Sequence, residues 1–288
     1  MDSFSFPSSD GTVLRGWRGT GSGPAVLICN GLGTIPEAWP ALITPGCGYG
    51  AVTWYQRGTF GSERPKDPNR IRIEDHVEDA VALLDHEGVE RALLVSWSLG
   101  VNVAFELARL HPDRVDGILA VAGMPGGTFA TMGGPLRVPR RLRRPLAVNA
   151  ARTGRLVGPV LSRLAPKIPV NPTTAWLIAH SGFMLPAARP EVVVPMLKQF
   201  LLHDWHWYGE LAVAAAEHEA MDLSFLTCPV TFVAGQHDLL TGMHDMIKTA
   251  AGIPSAELTV LPGSHFLPLE YPGLIHLALD ELARRAGL

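Results

Sequence analysis

Short apolar, β-branched runs punctuate the first part of the chain: Ala25 to Cys29 (AVLIC), Ala51 to Tyr55 (AVTWY), Ala92 to Ser96 (ALLVS) and Gly117 to Ala122 (GILAVA). Runs of this length without polar alternation predict strands covered on both faces, as in a parallel sheet. Glycine-containing turns or helix-period segments follow each of them. Between the second and third, Ile73, Val77, Val81 and Leu84 mark one helical face, and Glu74, Asp75, Glu78 and Asp79 are expected to form a solvated one. The pattern resumes near Asp222 with a strand over Val230 to Ala234, a helix from about Met243 to Ala251, a strand from Glu257 to Leu261 and a last helix over Gly273 to Arg285. Alternation of this kind predicts an α/β fold, a mostly parallel central sheet flanked by helices.

Between these halves the strand signal disappears. Residues 124–221 are rich in Pro, Arg, Ala and aromatics, with helical stretches expected around Val148 to Leu164 and Val192 to Leu211. The expected organisation is a core of residues 1–123 and 222–288, with 124–221 inserted as a helical cap. The chain of 288 residues is 47% hydrophobic, enough to bury one large core and a smaller insertion.

A formal net charge of −3 gives no reason to expect nucleic acid as a partner. Cys29, Cys47 and Cys228 form an odd set without CxxC spacing, which argues against a disulfide framework and a zinc site. The first residues lack the basic start and apolar stretch of a secretion signal, and no run of about 20 apolar residues occurs later. A soluble, cytoplasmic protein without metal or cofactor is expected; the oligomeric state is left open.

The strongest local signal is Ser96-Trp97-Ser98-Leu99-Gly100, set between the apolar run ending at Ser96 and the helix-period run Val101 to Leu110. A serine on a tight strand-to-helix turn projects its hydroxyl above the sheet edge, where the helix N-terminus favours developing negative charge. Small residues on either side let such a turn close: Gly100 after Ser98, and Ser96 before it in place of the usual glycine. Ser96 is the competing nucleophile, and helix capping is the plain structural alternative for both.

Several segments together resemble the α/β-hydrolase superfamily over nearly the whole chain. Besides SWSLG, Cys29-Asn30-Gly31-Leu32-Gly33 is similar to the superfamily's early HG-x loop with Asn in place of His. Tyr55-Gln56-Arg57-Gly58 leading to Gly61-Ser62 looks like its D-x-R-G-x-G-x-S segment, with Tyr55 where Asp is common. Gly235-Gln236-His237-Asp238 and Gly263-Ser264-His265-Phe266 complete the set. The resemblance implies an α/β-hydrolase fold with a cap insertion and the chain order nucleophile, acid, histidine.

A serine hydroxyl needs a neighbouring imidazole to take its proton during attack. His265, after the last predicted strand, fits that order best; His237 is the nearest rival, and His111, before Pro112, reads as a helix-end residue. Asp238, three residues after Gly235, is placed to orient the base, whereas Asp222 precedes its strand and Asp245 falls within the next helix. Carried over from the family, the backbone N–H groups of Leu32 and Leu99 would hold the oxyanion.

The function this implies is hydrolysis of a carboxylic ester, or a related thioester or lactone, through an acyl-enzyme on a small, apolar acyl substrate. Serine at 98 disfavours the epoxide hydrolase and haloalkane dehalogenase branches, which need a carboxylate nucleophile there. CNGLG also resembles the early loop of intracellular polyhydroxyalkanoate depolymerases, which would admit a short hydroxyacyl ester. Perhydrolysis, C–C hydrolysis, hydroxynitrile cleavage and acyl transfer use similar triads, and a binding protein on the same fold with slow turnover is the alternative class.

From Met124 through Pro190 there is no Asp or Glu, yet Arg137, Arg140, Arg141, Arg143, Arg144, Arg152, Arg155, Arg163, Lys167 and Arg189 are present. A solvated surface is the expectation; steering of an anionic substrate or contact with an acidic membrane face are the others. Phe200, Trp205, Trp207 and Tyr208 are expected to pack between cap and core and in part to line the entrance to the serine. The interleaved His203, Asp204 and His206 are a poor metal set, having no further ligand spaced with them.

Overall fold

The computed structural model describes residues 2–133 and 137–288. Among them the strands are β1 (Asp2–Pro7), β2 (Val13–Arg18), β3 (Ala25–Cys29), β4 (Gly50–Trp54), β5 (Ala92–Trp97), β6 (Val115–Val121), β7 (Val230–Gly235) and β8 (Ala256–Leu261). They form one sheet in the order β1-β2-β4-β3-β5-β6-β7-β8. β1 to β2 and β2 to β4 pair antiparallel, and every later pairing is parallel.

The strands read from apolar runs are present within two residues at each end. β3 and β5 are buried almost throughout because helices cover both faces. The hairpin β1–β2 was not expected, and its composition explains why. Phe4 and Phe6 alternate with Ser3 and Ser5 in a run too short and polar to stand out, and in β2 the buried Leu14 and Trp17 stand three residues apart, packing on opposite faces of the sheet and breaking the period of two.

The helices are α1 (Pro40–Ile43), α2 (Ile73–His86), α3 (Gly100–Leu110), α4 (Arg140–Leu164), α5 (Pro172–Ala179), α6 (Pro190–Phe200), α7 (Trp205–Ala216), α8 (Met243–Ala251), α9 (Leu267–Glu270) and α10 (Pro272–Arg285). One core layer joins α2, α3 and α8 to the sheet through Val77, Phe105, Phe232 and Met246. The other joins α1 and α10 to its opposite face through Trp39, Trp97, Leu279 and Leu282.

Four helices, α4 to α7, lie between β6 and β7; of the span 124–221, residues 134–136 lie outside the described residues. Two boundaries differ from expectation. Helix α4 starts at Arg140, eight residues early, and carries Pro145 and Pro159 inside it. The stretch expected from Val192 to Leu211 is two helices, because the Asp204 carboxylate accepts from the His206 and Trp207 N–H groups and starts α7 afresh.

The acidic cluster of α2 is a correction. Asp75 and Asp79 are buried, Glu78 is half-buried, and only Glu74 of the four is exposed. Asp79 accepts from Arg57 Nε at 2.9 Å and Nη2 at 2.7 Å, and Arg57 Nη1 reaches Asp10 at 2.6 Å. Its partners come from distant parts of the chain, which helical periodicity cannot register.

The topology fixes where a site can form. From β3 the chain runs outward to β4 on one side, returns through α2 to β5 on the other, and continues away to β6. The carboxyl ends of β3 and β5 therefore border a crevice where connections depart in opposite directions, the usual ligand position in open α/β sheets.

Candidate active site

Register brings the strand ends level. Cys29 pairs with Ser96, Trp97 with Val121, Val121 with Val233 and Gly235 with Leu261. The loops leaving β3, β5, β7 and β8 thus open on the same sheet edge, and they carry Leu32, Ser98, Asp238 and His265.

Ser98 sits in the left-handed region at φ 55°, and its N–H donates to Val121 O at 3.0 Å. A non-glycine residue there costs on the order of 1–3 kcal/mol, maintained only by surrounding structure. Part of that structure is the contact of the turn with β3: a Cβ on Gly100 would lie 1.9 Å from Cys29 O. Ser96 is fully buried and its hydroxyl donates to Leu119 O at 2.9 Å, so it braces β5 against β6 and faces no cavity.

His265 Nε2 lies 2.9 Å from Ser98 Oγ, and its Nδ1 lies 2.9 Å from Asp238 Oδ2. The other Asp238 oxygen accepts the N–H groups of Leu240 at 2.7 Å and Thr241 at 2.8 Å. A carboxylate only accepts, so the imidazole proton belongs on Nδ1 and the Nε2 lone pair faces the serine hydroxyl. Trp97 Nε1–H donates to His265 O at 2.8 Å and holds the histidine's backbone.

The rivals lie elsewhere. His237 is exposed, His111 closes α3, Asp222 caps its own turn at Ser224, and Asp245 pairs with Arg140 and Arg143.

The Leu32 loop is held from three directions. Asn30 accepts from Trp39 Nε1 and donates to Thr53 Oγ1, both at 2.9 Å. Gln56 Oε1 accepts the Gly33 N–H at 2.9 Å, and His203 Nε2 is 2.8 Å from Gly33 O. Gly33 has φ 65°, and a Cβ there would meet His203 Nε2 at 2.6 Å. Burial pushes the His203 pKa down, opposed by its bond to Gly33 O, so a neutral ring donates to that carbonyl. Among the described residues, the N–H groups of Leu32 and Leu99 donate to no protein acceptor.

That His203 and Gln56 hold this loop was not foreseen from sequence, which had noted Asn30 only as standing where the family has His. His203, Asp204 and His206 serve separate partners: Gly33 O, the α7 N-terminus with Arg64, and Arg155 O.

Over the serine lies a cavity of about 420 Å³ whose roof comes from α5, α6 and the loop between them, through Ile178, Phe183, Met184, Met196 and Phe200. Phe200 and Tyr208 line it as expected, whereas the Trp207 indole donates to Arg57 O. Thr128 lines it too, with a buried Oγ1 that has no partner among the described residues. Among the described residues no arginine or lysine lines the cavity, so the arginines and lysines of the basic stretch lie outside it.

A mostly parallel sheet with a serine, histidine and aspartate joined at its carboxyl edge defines a hydrolase-type α/β protein. The family profile described as alpha/beta hydrolase fold matches residues 24–272, and the chain belongs to that family. It is similar to epoxide hydrolase B of Mycobacterium tuberculosis, 35% identical over 123 residues, 37% of this chain and 33% of that protein. The chain thus spans about one third of the length of that curated relative. It is also similar to 3-oxoadipate enol-lactonase 2 of Acinetobacter baylyi, 25% identical over 91% of this chain and 89% of the relative. Among solved structures, a thermophilic esterase from Thermogutta terrifontis superposes with a TM-score of 0.75 at 21% identity, covering 100% of both chains. The enol-lactonase of Burkholderia xenovorans gives 0.71 at 19% identity, covering 98% of this chain and 100% of the other.

Proposed function

We propose that the protein is a serine hydrolase cleaving a carboxylic ester or lactone through an acyl-enzyme, with Ser98 as nucleophile, His265 as base and Asp238 as the acid that orients it. The observation that carries this reading is the unbroken hydrogen-bond chain from Asp238 through His265 to Ser98 at the floor of an apolar cavity. Residues 124–221 act as a cap over a core of residues 1–123 and 222–288.

In this mechanism Nε2 of His265 takes the hydroxyl proton as Ser98 Oγ attacks the carbonyl carbon. The carbonyl π electrons pass to oxygen, which the N–H groups of Leu32 and Leu99 hold. Loss of either such donor costs about 3 kcal/mol in the barrier of other hydrolases. Collapse breaks the C–O bond, and the departing alkoxide takes the proton from Nε2–H. Water then repeats the sequence on the acylated serine, releasing the acid. A hydroxyl at residue 98, in place of a carboxylate, favours acyl transfer over epoxide opening.

The 420 Å³ cavity suits a small to medium acyl group, and the unpartnered Thr128 hydroxyl favours one with a polar substituent. A panel of p-nitrophenyl esters and lactones tests this with native and Ser98→Ala protein. Native turnover is expected on some members and residual rates, about 10³–10⁴-fold over water, in the variant. Absence of turnover on all of them, or equal rates for both proteins, would overturn the assignment.

A further inference from the structure

The inner side of α4 packs closely on α7: a Cβ on Gly158 would lie 2.3 Å from His206 N, and one on Gly209 2.6 Å from Arg155 Cα. Its outer side has no such cover. Leu142, Leu146, Val157, Val160 and Leu164 follow one another at steps of four, eleven, three and four residues, each close to a whole number of helical turns. All five are exposed, and Leu156 beside them is 74% exposed. The helix therefore carries apolar residues on its solvent side in two groups, Leu142 with Leu146 and Leu156, Val157, Val160 with Leu164, on one strip that Asn149 and Thr153 interrupt, the reverse of what a surface helix needs.

A row of charge runs along one edge of that strip. Arg141, Arg152 and Arg163 follow at steps of eleven residues, about three turns each, and all are exposed. Arg140, Arg143 and Arg155 are tied to Asp245 and Glu210, whereas the three in the row meet no carboxylate among the described residues. Lys167, Ile168, Trp176 and Leu177 extend the exposed basic and apolar character beyond α4.

We propose that the outward face of α4 docks the protein on an anionic lipid bilayer, the helix lying in the plane of the interface. An apolar strip flanked by arginines is the pattern of interfacial helices, the strip entering the acyl boundary and the guanidinium groups meeting anionic headgroups. Charge separates this occupant from a second copy of the chain. With no Asp or Glu from Met124 through Pro190, the same face of another protomer offers the row nothing to pair with. Among the described residues no helix is long and apolar enough to cross a membrane.

Co-sedimentation of the full chain with phosphatidylcholine vesicles, with and without phosphatidylglycerol, tests the proposal. The protein is expected to sediment with the phosphatidylglycerol vesicles, to be released by added salt, and to stay in solution with phosphatidylcholine alone. Replacing Arg141, Arg152 and Arg163 by Gln should weaken partitioning about fivefold per residue, on the order of a hundredfold together. The double variant Val157→Asp, Val160→Asp should lose sedimentation and keep native turnover of a short water-soluble ester, which shows that it is folded. Failure to sediment, equal sedimentation with both vesicle types, or binding that survives either set of changes would overturn the proposal. So would a self-associating protein that ignores vesicles and becomes monomeric in the aspartate variant, because a second copy would then cover the face.

Discussion

Ser98 occupies a backbone conformation that only its neighbours make tenable, and His265 and Asp238 reach it from loops 140 or more residues further along the chain. Asp238→Asn should therefore cost far more turnover than Asp245→Asn. The first turns the acceptor facing Nδ1 into an amide and missets the imidazole tautomer, a loss on the order of 10⁴-fold in another triad. The second only loosens the Arg140 and Arg143 pairs. Steady-state rates on one ester decide it, and a crippled Asp245→Asn would contradict the assigned roles. His203 is a positioning residue in this account. His203→Ala should lower kcat with little change in KM, because the carbonyl it holds belongs to Gly33, next to an oxyanion donor; a loss confined to KM would place it in substrate binding instead. That Ser98, Asp238 and His265 could meet was legible in sequence because each stands in a short motif at a strand end, and the structure joins them in one hydrogen-bond chain. His203 was not, since its partner is 170 residues away and nothing local marks the contact.

Among the elements, helix α2 owes its place to a buried ion network as well as to its apolar face. Burial alone would raise the Asp79 carboxyl, yet the neighbouring His76 ring, 3.5 Å away, and the hydrogen bonds and charge of Arg57 hold it below the ordinary range. Asp10 is likewise lowered to about 2, its burial outweighed by hydrogen bonds from Thr12 and Arg57. A carboxyl whose folded pKa is depressed adds stability above its unfolded value near 3.8, and that stability is lost as pH falls toward the folded value. Denaturation midpoints should accordingly drop between about pH 4 and pH 2, with a shallower slope in Asp10→Asn. An unchanged slope would remove Asp10 from the network. Asp79→Asn should destabilise by about 3–5 kcal/mol at neutral pH, since it leaves the Arg57 charge buried with half its partner lost. Local pattern mistook this cluster for a wet surface, just as it missed the β1–β2 hairpin. In both cases the deciding contact is tertiary, with Arg57 for Asp79 and with β4 for the hairpin edge.

At the scale of the whole molecule, the order of the strands sets the serine and the Leu32 loop on adjoining strand ends, and α5 and α6 close an apolar cavity over them. If that cavity receives the acyl chain, kcat/KM should rise with acyl length by up to about fourfold per CH₂ until the space is filled, and then fall. A flat profile would place the chain outside it. Strands β3 to β8 and helices α2, α3, α8 and α10 were readable from periodicity because apolar runs of fixed length leave little choice of partner. The break between α6 and α7 was not, because a single capping aspartate decides it. Covalent trapping tests the central claim most directly: a fluorophosphonate is added to the native protein, and the modified residue is located by peptide mass spectrometry. The account predicts one adduct, on Ser98, formed slowly or not at all in His265→Ala. An adduct on Ser96, or none on a protein that hydrolyses esters, would contradict it.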